Sequence, residues 1–93
     1  MNASYQPGQE DEIELLEDII TENKIIIHND NVNTFDWVID TLMEVCRHSF
    51  EQAEQCALII HNRGKYAVKR GSYKTLKPMK EAIVERGIDA TIE

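Results

Sequence analysis

Several things that would simplify the reading of this chain are scarce or missing. Among its 93 residues there are only two cysteines, two prolines, four glycines and one tryptophan. Cys46 and Cys56 could make at most one disulfide, which is not expected in the cytosol, and they stand in separate expected helices without metal-ligand spacing. They read as small buried hydrophobes in a reducing compartment. No apolar run approaches the roughly 20 residues of a membrane-spanning helix, so no membrane partner is expected. The opening residues, MNASYQPGQEDE, have neither the basic start and apolar stretch of a secretory leader nor the arginines of a transit peptide, which points to a cytoplasmic protein. Positive charge is absent from the first 22 positions, whereas Glu10, Asp11, Glu12, Glu14, Glu17, Asp18 and Glu22 all fall there. The net charge of -7 therefore belongs to that segment, and the remainder is neutral. A neutral body offers no basic face to phosphates, so nucleic acid is not an expected partner.

What is present suits one small domain with a modest stability margin. Residues 1–23 read as a flexible acidic extension. MNASYQPGQ is polar, and Ile13, Leu16 and Ile20 mark a helical face too short to be stable in isolation. The folded core is expected over 24–93. Lys24–His28 (KIIIH) is a short β-branched strand. Thr34 caps a helix starting at Phe35, with Asp36 in its first turn and Val38, Leu42 and Val45 or Cys46 inward. Ser49 with Gln52 resembles a capping box for a second helix, with Phe50, Ala53, Ala57 and Ile60 as its inner face and Gly64 as its stop. Lys65–Arg70 alternates as a strand. Leu76, Met79 and Ile83 mark a third helix ending at Gly87, and Pro78 should kink it or lie in its first turn. Ile88, Ala90 and Ile92 alternate as the last strand. The order β-α-α-β-α-β implies an α+β fold, a three-stranded antiparallel sheet covered on one face by three helices.

Hydrogen-bonding capacity crowds into HNDNVNTFDW (residues 28–37), where Asn29, Asp30, Asn31 and Asn33 follow the first strand. Such a cluster can be Asx turns and caps, because Asn and Asp bond their own backbone. His61, near a helix end, can be a satisfied half-buried histidine. Asp30 with His61 would make an acid-base pair, although no motif puts a Ser or Cys nucleophile beside them, and His28, Asp30 and His61 are metal ligands by residue type alone.

The stretches NDNVNTFDWVIDTL (29–42) and AEQCALIIHNRGKY (53–66) resemble the ClpS family, adaptors that hand N-degron proteins to a Clp-type AAA+ unfoldase and protease. The first is similar to the family's Asn-Asp-Asp-x-Thr-Pro-Met motif, the second to its helix ending in His followed by Gly-Lys. The resemblance runs from about Lys24 to Glu93. It implies a non-enzymatic adaptor without cofactor or metal, a monomer whose partners are a Clp unfoldase and substrates led by Leu, Phe, Tyr or Trp. Asn29, Asp30 and His61 would then hold the substrate's α-amine, and Phe35, Val38, Ala57 and Ile60 would line a pocket for the first side chain. The chemistry agrees. A free N-terminus titrates near 7.7–8.0, so at neutral pH it is mostly an ammonium with three donors, and it needs acceptors. The sequence departs from the family at Thr34-Phe35, where Pro-Met is usual, and at Ala57, where Met is common. In the third helix Lys74, Lys77 and Lys80 occupy the stretch where the family offers acidic residues to the unfoldase. A protein-interaction domain of the same fold without N-degron binding stays open as an alternative.

Overall fold

The computed structural model describes residues 22–93; the acidic extension before Glu22 lies outside the described residues. Strand β1 (Asn23–His28) is the middle of the sheet, with Ile25, Ile26 and Ile27 all buried. It pairs antiparallel with β2 (Lys65–Gly71) on one side, with a register shift between Ile25 and Ile26, and with β3 (Ala90–Ile92) on the other. Ile25 and Ile27 face the helices and join the core cluster, whereas Ile26 points to the opposite face and stays buried at 6 % exposure because β1 is flanked by a strand on either side.

Between β1 and β2 run α1 (Phe35–Cys46) and α2 (Phe50–Arg63), and α3 (Tyr73–Glu85) joins β2 to β3. Their ends are set by local chemistry. The hydroxyls of Thr34, Ser49 and Ser72 accept from the backbone N–H groups of Trp37, Gln52 and Thr75 at 3.1, 3.1 and 3.2 Å. Gly64 ends α2 at φ 91°, where the absence of a Cβ removes the usual penalty, and its N–H donates to the Ile60 carbonyl. Arg47 adopts the same left-handed conformation (φ 61°) to end α1 without that relief. The Lys69 ammonium donates to the Cys46 carbonyl at 3.4 Å, putting a positive charge at the negative end of α1.

The core joins Ile25 and Ile27 of β1 with Leu42, Leu76, Ile83 and Ile88, so all three helices cover one sheet face, as the apolar spacing implied. Cys46 and Cys56 are buried unpaired thiols, and burial pushes Cys46 up to about 11. Phe50 departs from expectation. It is 49 % exposed, because the helical period carries it to the edge of the stripe defined by Ala53, Ala57 and Ile60, and Cys56 fills the inside instead. Pro78 lies in the second turn of α3, beyond the first turn that would have cost no hydrogen bond. The third helix also stops at Glu85 rather than Gly87. No helix among the described residues is long and apolar enough to cross a membrane.

One buried polar group makes the core sensitive to acid. His48 is 8 % exposed and its Nδ1 has no partner, and burial, reinforced by the Lys69 charge, holds the imidazole below its ordinary value. Unfolding releases that restraint. The unfolded chain then binds a proton more readily, so the stability is full above about pH 6.5 and drains away as pH falls toward the folded-state value. Urea midpoints should accordingly fall between pH 7.5 and 5, and His48→Gln should flatten that slope. An unchanged slope in the variant would assign the acid sensitivity elsewhere.

Candidate functional site

The loop from Asn29 to Thr34 is organised by its own side chains. Asp30 Oδ1 accepts from the backbone N–H of Val32 (2.8 Å) and of Asn33 (2.7 Å), and Oδ2 accepts from Asn33 Nδ2 (2.7 Å). Donors favour the ionised carboxylate, and those of Asn33, backbone then side chain, followed by the Val32 N–H, hold Asp30 below the usual carboxylate value. The Asn33 amide donates a second time, to the Gly87 carbonyl at 2.9 Å, fastening the loop to the far end of α3. The turn reading of this cluster is therefore correct for Asp30 and Asn33.

A second fastening lies beside it. The Trp37 indole N–H donates to the Arg86 carbonyl (3.0 Å), the Arg86 guanidinium lies 5.7 Å from the Trp37 ring centre, and it also binds Glu44 at 2.6 Å. Sequence inspection missed this clip and the Asn33–Gly87 bond. Both join residues about fifty positions apart, for which a single sequence carries no signal.

On the other flank the Asn29 N–H donates to the Gly64 carbonyl (2.8 Å), continuing the β1–β2 pairing past His28 and setting Asn29 beside the end of α2. The result is a pocket of about 390 Å³. Asn29, Asp30, Asn31, Asn33 and Thr34 line it from the loop. Phe35 and Val38 come from α1, and Ala57, Ile60 and His61 from α2. All seven residues expected to form the amine and side-chain sites thus line one cavity. Asn29 and His61 are exposed, Ala57 and Ile60 are buried, and the Phe35 ring meets the His61 ring edge-on at 6.2 Å between centres.

The alternative groupings fare differently. His28 is paired through Nε2 with Thr91 Oγ1 (3.0 Å), and among the described residues no three His, Cys, Asp or Glu side chains come together as a metal site. Asp30 and His61 do share the pocket, but the Asp30 oxygens are committed to the loop. Lys74, Lys77 and Lys80 are remote from it on α3, where the last two line a separate cleft of about 220 Å³.

An α+β domain of this topology has a solved counterpart. The structure of Agrobacterium tumefaciens ClpS2 bound to L-phenylalaninamide superposes with a TM-score of 0.72, covering 78% of this chain and 95% of that one at 22% identity. Residues 20–90 match the family described as ATP-dependent Clp protease adaptor protein ClpS. The chain belongs to the ClpS family. It is similar to the ClpS adapter of Lawsonia intracellularis, 37% identical over 67 residues (67% of this chain, 62% of the relative). With that of Wolinella succinogenes it shares 34% over 62 residues (62% and 61%). The chain thus spans a little under two thirds of these curated relatives.

Proposed function

We propose that the protein is a non-enzymatic adaptor that binds the free N-terminus of proteins beginning with Leu, Phe, Tyr or Trp and passes them to a Clp AAA+ unfoldase for proteolysis. One observation carries this reading. Asn29 and His61, with the Asp30 charge beside them, share a pocket with the apolar surface of Phe35, Val38, Ala57 and Ile60. The Asn29 carbonyl oxygen and a neutral His61 nitrogen accept from the substrate ammonium, and Asp30 adds negative potential while it holds the loop. Burial of a large apolar side chain alongside supplies roughly 1.5–3 kcal/mol, enough to prefer Phe or Leu over Ala or Lys. The ligand of the ClpS2 relative joins a free amine to an aromatic side chain, the combination proposed here. Lys74, Lys77 and Lys80 are the proposed contact with an unfoldase of acidic surface.

Fluorescence anisotropy with peptides that differ only in their first residue, each free or N-acetylated, tests the reading. Acetylation should abolish binding, because it removes the charge and two of the three donors. Equal binding of both forms would leave an interaction domain without N-degron recognition.

The pocket floor governs the choice among large side chains. Ala57 is 3 % exposed at the base, and Phe35 stands near the entrance against His61. Ala57→Met fills the floor, so Trp-led peptides should lose about 1–3 kcal/mol, and Leu-led ones less. Ile- and Val-led peptides should bind poorly to the unaltered protein, because their β-branches meet Phe35. If Ile-led peptides bind as well as Leu-led ones, Phe35 is not the gate.

A further inference from the structure

Of the three lysines of α3, Lys74 and Lys77 stand away from the buried Leu76 and Ile83, and Lys80 borders that buried stripe. Lys74 and Lys77 are exposed and Lys80 is half-buried. Among the described residues none of the three forms an ion pair. Lys77 and Lys80 share their cleft with the exposed Tyr73, Glu81, and Thr91 and Ile92 of β3. Glu81 offsets one of the three positive charges, so the face keeps a positive excess.

This cleft lies where the chain enters the fold. Ile25 is the partner of Ile92, and both the Lys24 N–H and the Asn23 Nδ2 donate to the Glu93 carbonyl. Immediately upstream come the seven acidic residues of Glu10–Glu22, with no Lys or Arg among them, and the apolar Ile13, Leu16 and Ile20. Reach is ample. At up to about 3.5 Å per residue, Glu17 and Asp18 can lie some 20 Å beyond Lys24, whereas the lysines span only about 9 Å of helix.

We infer that the lysine face of α3 is a docking surface for acidic peptide, and that its resident occupant is the chain's own Glu10–Glu22 segment, bound in cis through its acids up to Asp18, while Glu22 pairs with Arg70 of β2 at 3.9 Å. Carboxylates of the segment meet Lys74, Lys77 and Lys80, and its apolar residues meet Tyr73 and Ile92. Docked in this way, the segment masks the surface proposed above for the unfoldase, and an acidic partner must displace it. The contact is independent of the amine pocket and stands whether or not that pocket binds N-termini.

Zero-length carbodiimide cross-linking of the full chain, mapped by mass spectrometry, tests this directly. At about 50 mM salt, amide links should join acids of residues 10–22 to Lys74, Lys77 and Lys80 within one chain, and roughly 1 M salt should reduce them about tenfold by screening. The triple variant K74E/K77E/K80E should abolish these links with an unchanged circular dichroism spectrum. Independently, E14Q/E17Q/D18N should shift the amide resonances of Tyr73–Glu81 and leave those of the Asn29–Thr34 loop in place. Links spread evenly over Lys24, Lys65 and Lys69, links absent altogether, or links joining isotopically light to heavy chains in a mixture would each overturn docking in cis.

Discussion

His61→Ala and Asn29→Ala are each expected to weaken binding of a Phe-led peptide by about 1–3 kcal/mol, roughly 5- to 150-fold in Kd, and to leave the fold intact. Both side chains are exposed on the pocket rim, and neither is part of the core cluster, so folding does not depend on them. Binding does, because each variant leaves one ammonium donor desolvated and without an acceptor. The two losses should not add. In the proposed complex both groups hold one ammonium, which would shift toward the remaining acceptor when either is removed. His61 also touches the Phe35 ring, so a loss in His61→Ala can come from apolar contact as well as from the acceptor. Comparison with N-acetylated peptide separates them. If His61→Ala reduces the affinity of free and acetylated peptides by the same factor, His61 acts through Phe35 and not on the amine.

Asp30→Ala is the second large expectation, and it acts on the scaffold of the site. One carboxylate holds two backbone N–H groups and the Asn33 amide, and that amide ties the loop to Gly87. Hydrogen bonds to a charged group contribute about 1.5–3 kcal/mol each, and water replaces part of that at an exposed loop, so a net loss of about 2–3 kcal/mol is expected at neutral pH. Binding should fall with it, because the loop that lines the pocket with Asn31, Asn33 and Thr34 would lose its fastening. Asp30→Asn should be intermediate: it keeps an acceptor for the backbone but turns a donor toward Asn33 Nδ2. The folded carboxylate titrates below its unfolded value. Its contribution is therefore full above the unfolded value, near pH 3.9, and is lost as pH falls through the folded one. The stability gap between the parent protein and Asp30→Ala should be constant from pH 7 to 5 and close below pH 4, a window separate from that of His48. A gap that closes already between pH 7 and 5 would place the effect on another group.

Local chemistry determined much of what the sequence could say about this protein. Caps depend on a side chain and backbone a few residues apart, so Thr34, Ser49 and Gly64 marked their helix ends directly. The β-branched run Ile25–Ile27 and the spacing of Leu42, Ala53, Ala57, Ile60 and Ile83 likewise marked strand and helix faces. The residues of the pocket were legible from two motifs separated by about thirty positions. Phe50 was misread because periodicity ranks a face without marking where the neighbouring elements stop. Only the tertiary structure showed how the Asp30 carboxylate is bonded. Its bonds to Val32 and Asn33 are local, but the choice between a turn acceptor and a ligand for substrate depends on where the oxygens point after the loop has closed. The Asn33–Gly87 bond and the Trp37–Arg86–Glu44 clip also needed the fold, because they arise only after α3 has packed beside α1. Long-range contacts of that kind are set by the summed packing of the core, and no short stretch of sequence contains both partners.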